Sequence, residues 1–313
     1  MTTARQAIPK GVPQTDSFEA RTVTRTRPAW VPTELFPFTS CWMEAAGARL
    51  HYVDEGSGPV LLMVPGSPMW SFMYRYPIQR LRGEFRCIAV DLPGLGLSEA
   101  PLFPGRAFAQ SADWLQAFVR ALELPDFTLV VHATAGPSAL EMAMRERDRI
   151  RALVISNSFA WPLDQAPVRR FARIVSSSLF GFVNIHLNLL PRLTMRLGRR
   201  NGRFSPQEQA AILGPFQKRQ AREHLQNYLF GVRAERGMFQ ALTTRLAIFR
   251  QTPTLFLFGA YDNGFKAGFL EQWKQLLPNH RAIVLSESAH FVLEDEPDRY
   301  TSELKLWLQE CVR

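Results

Sequence analysis

The chain has 313 residues, 46% hydrophobic and 21% charged, with 23 Phe and 7 Trp. That much apolar and aromatic material excludes a disordered chain, and 22 Pro spread through the periodic segments exclude a coiled coil. The formal net charge of +9 leaves nucleic acid, a membrane surface, an anionic substrate or no special partner all open.

Residues 1–30 hold five Lys/Arg, two acids, many Thr and several Pro, and read as a flexible N-terminal arm with no secretory pattern. From Cys41 onward the chain alternates strand-like and helix-like segments. Ala48 to Glu55 alternates in character and closes on Gly56-Ser57-Gly58-Pro59. Val60 to Val64 is an apolar run of buried-strand type, followed by Pro65-Gly66-Ser67-Pro68 and a helical spacing from Met69 to Leu81. Phe85 to Val90 predicts a strand, Phe108 to Leu122 a helix, and Phe127 to Val131 a third buried strand. Pro137 to Arg147 opens a helix, and Ala152 to Ile155 is a fourth strand. Residues 160–250 are helix-like, with Pro and Gly stops and no convincing strand. Thr254 to Phe258 and Ala282 to Leu285 then restore the alternation, each followed by a helix.

Apolar strands alternating with helices predict an α/β fold with a mostly parallel sheet covered on both faces. The expected organisation is an arm over 1–30, a core over 31–159 and 251–313, and a helical cap over 160–250. No apolar stretch reaches the roughly 18 residues of a spanning helix. Cys41, Cys87 and Cys311 are odd in number and widely spaced. They suggest no disulfide framework and fit a reducing, cytoplasmic setting. No His, Asp and Glu cluster has metal-ligand spacing, so no metal or other cofactor is expected.

In open parallel sheets, ligands bind beyond the carboxyl ends of the strands. Residues there include Ser67, the His132-Ala133-Thr134-Ala135-Gly136 turn, Asp262 and His290. Several segments in order, LHYVDEGSGPVLLMVPGSPMWSFMYR, DLPGLGLSEAP, NSFAWP, FGAYDNGF and SAHFVLEDEPD, carry a resemblance. The chain resembles the α/β-hydrolase superfamily, and within it the haloalkane dehalogenase and epoxide hydrolase branch, over roughly residues 35–312. The resemblance implies the α/β-hydrolase fold, a catalytic His290, an acid at Asp262, and a nucleophile elbow whose nucleophile position is residue 133. It also implies an oxyanion hole from the backbone N–H groups of Ser67 and Thr134, expected to be independent of side-chain identity. Trp161, Phe180 and Tyr228 are the expected pocket residues, and the apolar stretch Leu179 to Leu190 reads as docking of the cap on the core, as a roof over the pocket, or as both.

The chain departs from the branch where the chemistry lies. Residue 133 is Ala, and a methyl group cannot attack a carbon centre. Pro65 and Ser67 replace the usual His and Asn of the first loop, and Thr134 replaces the Trp after the nucleophile. Halide has no indole or amide donor at those positions, and the insertion holds one tyrosine, Tyr228, where epoxide hydrolases present two.

Plainer roles stand beside these. His290 could be a core histidine, Asp262 a helix cap, and His132 simple packing under the turn. Gly94-Leu95-Gly96 lacks the third glycine of a dinucleotide fingerprint, since residue 99 is Glu.

Three readings of Ala133 stay open. It replaces an Asp or Ser in a covalent hydrolase; it belongs to a non-covalent acid–base hydrolase or lyase; or the chain is a binding or scaffold protein. An apolar epoxide, lactone or ester is the expected substrate class, with a β-lactone decarboxylase one candidate activity. The charge lies mainly in residues 160–250, which hold 15 Lys/Arg and 4 Asp/Glu. Nucleic acid is not expected, because no recognisable module interleaves aromatics and arginine. A peripheral membrane or acidic partner contact through the basic cap is open, as is a merely solvated surface.

Overall fold

The computed structural model describes residues 22–24, 27–45 and 47–311. Among them, nine strands form one sheet: β1 Thr22–Thr24, β2 Cys41–Ala45, β3 Ala48–Glu55, β4 Val60–Val64, β5 Arg86–Val90, β6 Phe127–His132, β7 Ile150–Ser156, β8 Thr254–Gly259 and β9 His280–Leu285. The order across the sheet is β1-β2-β3-β5-β4-β6-β7-β8-β9. The pairings β1–β2, β2–β3 and β3–β5 are antiparallel, and from β5 to β9 every pairing is parallel.

Period-two alternation sorts the central strands between two cores. Val60, Leu62 and Val64 face one apolar cluster, while Leu61 and Met63 face the other. Phe256 and Phe258 against Leu255 and Leu257 repeat the pattern on β8. Because both faces are covered, β4, β6 and β8 are buried along their whole length.

The helices before the insertion are α1 Arg75–Leu81, α2 Ala107–Ala121 and α3 Ala135–Arg145. Between β7 and β8 lie α4 Ala166–Val175, α5 Ser178–Leu187, α6 Leu189–Leu197, α7 Pro206–Leu213, α8 Arg219–Ala234 and α9 Arg236–Arg245. The chain closes with α10 Asn263–Lys266, α11 Phe269–Leu276, α12 Val292–Asp295 and α13 Pro297–Cys311. This is an α/β-hydrolase fold with a helical insertion between two core strands.

Several elements depart from the sequence reading. β2, a five-residue strand with a polar glutamate, was not anticipated; Gly47, at φ +79°, helps turn it into β3. The helix expected from Met69 begins later. Trp70 is extended, with its indole N–H donated to the Ala211 carbonyl, so a short 3₁₀ turn at Ser71–Tyr74 precedes α1. Residues 1–21 of the expected arm lie outside the described residues. Nearer its end, Thr22–Thr24 forms β1, and Trp30 packs edge-on against Trp70.

One buried ion cluster ties the core to both the insertion and the C-terminal segment. Arg75 on α1 donates to both carboxylate oxygens of Glu294 on α12, at 2.5 and 2.7 Å, and to Glu208 on α7 at 2.8 Å. Glu208 also completes the capping box of α7 with Ser205. Burial disfavours the guanidinium charge, but the two carboxylates and the Tyr76 hydroxyl outweigh it, so its pKa is raised. Arg75→Met would leave the Glu294 carboxylate buried without its cation. Loss of one partner of a buried pair costs about 3–5 kcal/mol. Urea denaturation of Arg75→Met against the parent should show a loss of that size.

Candidate active site

The turn after β6 has the geometry of a nucleophile elbow. Ala133 sits at φ +49°, a left-handed conformation that a residue with a Cβ adopts at about 1–2 kcal/mol. Three hydrogen bonds hold it there. The Ala133 N–H donates to the Ser156 carbonyl at 3.1 Å, and its carbonyl accepts from the Ser158 hydroxyl at 2.6 Å and the Gly136 N–H at 3.3 Å. Two close approaches keep the turn tight. A Cβ on Gly66 would lie 2.4 Å from the His132 carbonyl oxygen, and one on Gly136 would lie 2.1 Å from the Ser158 hydroxyl. The elbow is thus fully built around a side chain with no nucleophilic atom.

Beside it, the two substituted loop residues are bonded to each other. The Ser67 N–H donates to Thr134 Oγ1 at 2.8 Å, and the two hydroxyls lie 2.9 Å apart. This corrects the expectation that the Ser67 and Thr134 N–H groups act together whatever their side chains. The Ser67 N–H is already engaged by a threonine hydroxyl, so side-chain identity matters here. Thr134 is the N-cap residue of α3, yet its hydroxyl turns to Ser67 and leaves the helix end uncapped. Its own N–H has no acceptor among the described residues and stays available to an anion.

His290 follows β9 and Asp262 follows β8, and their side chains meet. His290 Nδ1 lies 2.8 Å from Asp262 Oδ2, with Asp262 buried and the His290 side chain 31% exposed. Asp262 Oδ1 accepts from the Gly264 and Phe265 N–H groups at 2.8 and 3.2 Å. Capping α10 and orienting His290 are therefore not alternatives; each carboxylate oxygen does one. Burial raises the Asp262 pKa, but the His290 hydrogen bond and charge, with the two backbone donors, more than offset it. The net shift is downward, so the group remains a carboxylate.

Two residues anchor this dyad through the backbone. The His290 carbonyl lies 2.9 Å from His132 Nε2 and accepts from Asn157 Nδ2 at 2.8 Å. Asn157 also donates to the Ala289 carbonyl at 3.0 Å and accepts from the Gly259 N–H at 3.0 Å. It joins the end of β7 to the end of β8 and to the histidine loop. The sequence reading missed this role, although Asn157 opens the quoted NSFAWP segment. Its φ of +44° is one that asparagine tolerates better than most residues.

The expected pocket residues are dispersed. Trp161 is buried against Trp273 and Phe269, with its indole N–H lacking a partner among the described residues. Tyr228 is a correction. Its hydroxyl bonds Ser111 on α2 and its ring packs on Phe108, so it serves the contact between α8 and the core. Phe180 is half-buried in the first turn of α5. A cavity of about 730 Å³ opens within the insertion, lined by Leu187, Leu189, Leu213, Phe216, Arg192 and Arg222 among others. Neither these three residues nor Ala133, Asp262 or His290 line it. Among the described residues no group of three or more His, Cys, Asp or Glu is gathered for a metal ion.

His132 supplies a pH prediction. Burial and the neighbouring His290 charge, opposed by the His290 backbone bond and Asp262, depress its pKa from 6.5 to about 3. Between those values the unfolded chain binds a proton that the folded chain refuses. This contribution is fully present above about pH 6.5. It is lost on acidification at about 1.4 kcal/mol per pH unit, down to the folded value. Asp262 acts below its unfolded value of 3.8 and does not interfere in this window. Urea denaturation at pH 7 and pH 5 should show His132→Asn losing about 2 kcal/mol less than the parent.

Residues 59–297 match the family model described as the alpha/beta hydrolase fold. Haloalkane dehalogenase 2 of Mycobacterium tuberculosis is 30% identical over 277 residues, covering 87% of this chain and 95% of the relative. Cis-3-alkyl-4-alkyloxetan-2-one decarboxylase of Shewanella oneidensis is 29% identical over 286 residues, covering 88% and 90%. The crystal structure of haloalkane dehalogenase DbeA from Bradyrhizobium elkani superposes with a TM-score of 0.78 at 21% identity, over 88% of this chain and 98% of that one. The chain therefore belongs to the α/β-hydrolase fold family, in its haloalkane dehalogenase-like branch.

Proposed function

We propose that the chain is a hydrolase or lyase that opens an apolar ester or strained lactone by acid–base chemistry, without a covalent intermediate at residue 133. The observation that carries this reading is the hydrogen-bonded Ser67–Thr134 pair beside an intact His290–Asp262 dyad. A single nucleophile replacement leaves the surrounding residues as they were. Here two further positions differ from the branch pattern and satisfy each other, which supports a site rebuilt for another reaction. The related decarboxylase acts, by its name, on an oxetan-2-one, a β-lactone, and this supports a strained ester as substrate.

His290 Nε2 removes a proton from water as the water oxygen adds to the carbonyl carbon. Asp262, accepting from Nδ1–H, fixes the tautomer and balances the imidazolium charge. The oxyanion receives the free Thr134 N–H. In one orientation of the hydroxyls, Thr134 Oγ1 accepts from the Ser67 N–H and donates to Ser67 Oγ, whose proton then points onward to the oxyanion. Such a chain polarises its last donor. Collapse expels the alkoxide, which takes the proton back from His290. This assignment requires the attacking water to sit beside the Ala133 methyl.

A second reading has one observation of its own. The left-handed backbone at Ala133 suits Asp better than Ala, as an elbow built for a carboxylate nucleophile requires. The noncatalytic alternative, a binding or scaffold protein, has no use for the oriented dyad.

One panel separates the three: the parent chain, Ala133→Asp and His290→Ala, assayed against an ester, a β-lactone, an epoxide and a haloalkane. The expected result is turnover of the ester or lactone by the parent, reduced about 10²–10⁴-fold in His290→Ala. Turnover by Ala133→Asp alone, with a covalent adduct in mass spectrometry, would replace the proposal by the second reading. No turnover from any form, with ligand binding retained, would leave a binding protein.

A further inference from the structure

We propose that the outward face of α4, α5 and α6 docks on an anionic lipid bilayer, with the chain lying on the surface and not crossing it. The first observation is exposed apolar side chains. Among the described residues, fourteen large apolar side chains are exposed, and half of them, Phe171, Ile174, Leu179, Phe182, Leu187, Leu193 and Leu197, fall in these three short helices. Leu179 is 77% exposed, Leu197 75% and Phe182 62%. A scattered surface leucine needs no explanation, but a concentration of this kind does.

The spacing is as telling as the number. Phe171 and Ile174 are three apart on α4, Leu179 and Phe182 three apart on α5, and Leu193 and Leu197 four apart on α6. Each helix already has a different side turned inward, through Ala172 and Val175, Gly181 and Asn184, and Pro191. The outward apolar stripe is therefore a second face that the fold does not use. The helices are neighbours, since α4 and α5 both pack on α8 and α5 packs on α6.

Charge chooses the occupant. Residues 165–207 contain eight Arg and no Asp or Glu. Arg169, Arg170, Arg173, Arg192 and Arg196 are exposed, and none has an ion-pair partner among the described residues. In the core, by contrast, Arg86 is paired with Asp54, Arg145 with Asp113 and Arg281 with Glu310. A second copy of this chain would set one arginine-rich face against another, with no acid on either to offset the repulsion. Nucleic acid would match the arginines but give Leu179, Leu193 and Leu197 nothing to contact. Phospholipid headgroups over acyl chains satisfy both at once: arginines at phosphate level, Phe and Leu below it. No helix among the described residues is long and apolar enough to cross a membrane, so the contact is interfacial. The cavity in the insertion opens beside this face. Leu187 belongs to both, as does Arg192.

The test is flotation of the full chain with vesicles of phosphatidylcholine alone, or of phosphatidylcholine mixed with phosphatidylglycerol, in about 0.1 M salt. Two variants carry substitutions only at exposed positions: Phe171→Ser with Phe182→Ser, and Arg169→Gln with Arg170→Gln and Arg173→Gln. Circular dichroism and gel filtration check that both stay folded. The expected result is binding to the mixed vesicles, weak binding to phosphatidylcholine, and release at high salt. Partitioning should fall by about tenfold or more in the Phe pair. It should fall on the order of a hundredfold in the Arg triple. Equal binding to both vesicles, or no binding to either, overturns the proposal. So does binding that both variants retain. If vesicles float without protein while gel filtration shows a dimer that the Phe pair dissolves, the face is a protein interface and the lipid assignment is wrong.

Discussion

The backbone carbonyl of His290 is gripped by two side chains, His132 Nε2 and Asn157 Nδ2, and the geometry of the site depends on that grip. His132 ends β6, Asn157 follows β7, and Asp262 follows β8, so three neighbouring parallel strands deliver their ends to one loop. The imidazole is then placed from two directions, by its main chain and by the Asp262 carboxylate. On the far side of the loop, Arg75 fixes Glu294 four residues beyond His290. None of these contacts passes through residue 133. This explains physically how an oriented dyad coexists with an alanine elbow: the scaffold of the histidine is independent of the nucleophile it usually serves.

The parts of this arrangement that were legible in the sequence are those written in contiguous residues. Val60–Val64, Phe127–Val131 and Thr254–Phe258 read as buried strands because strands covered on both faces leave no room for polar alternation. The residues following them could then be placed at one edge of a sheet, and His290 and Asp262 do meet there. What sequence could not supply was pairing between distant positions. Ser67 and Thr134 are 67 residues apart, and nothing local signals that their hydroxyls are hydrogen-bonded. Tyr228 shows the same limit differently. Its helix, α8, has an apolar side that could face either the pocket or α2, and tertiary packing turns it to Ser111 and Phe108. Asn157 was visible as a residue but not as a function, because a left-handed asparagine at a strand end looks like any turn until its three partners are seen.

The net charge of +9 is a sum over unlike parts. Residues 160–250 balance to +11 and the remainder to −2. Within the core, cations are spent on structure: Arg75 ties three segments together, and most others face a carboxylate across a short gap. In α4–α6 the arginines face solvent, and apolar side chains stand between them. Unpaired arginines contribute little to folding, since even paired surface charges are worth about 0–1 kcal/mol. Exposed Phe and Leu contribute nothing to the core either. A surface that stabilises neither itself nor the core is better explained by something outside the chain.

The alanine at the elbow has an electrostatic consequence of its own. A carboxylate at residue 133 would be an additional acid close to His290, and it would have to be desolvated in a turn that leaves Ala133 only 3% exposed. With a methyl group there, Asp262 is the carboxylate left to balance any proton that His290 takes up. A proton held by one carboxylate is more readily passed to a leaving group than one held between two. The same change removes the charge against which Ser67 and Thr134 would otherwise orient, and leaves their hydroxyls free to organise each other. The dyad, the methyl and the hydroxyl pair are thus mutually consistent. Together they are compatible with the proposed non-covalent attack on a carbonyl substrate.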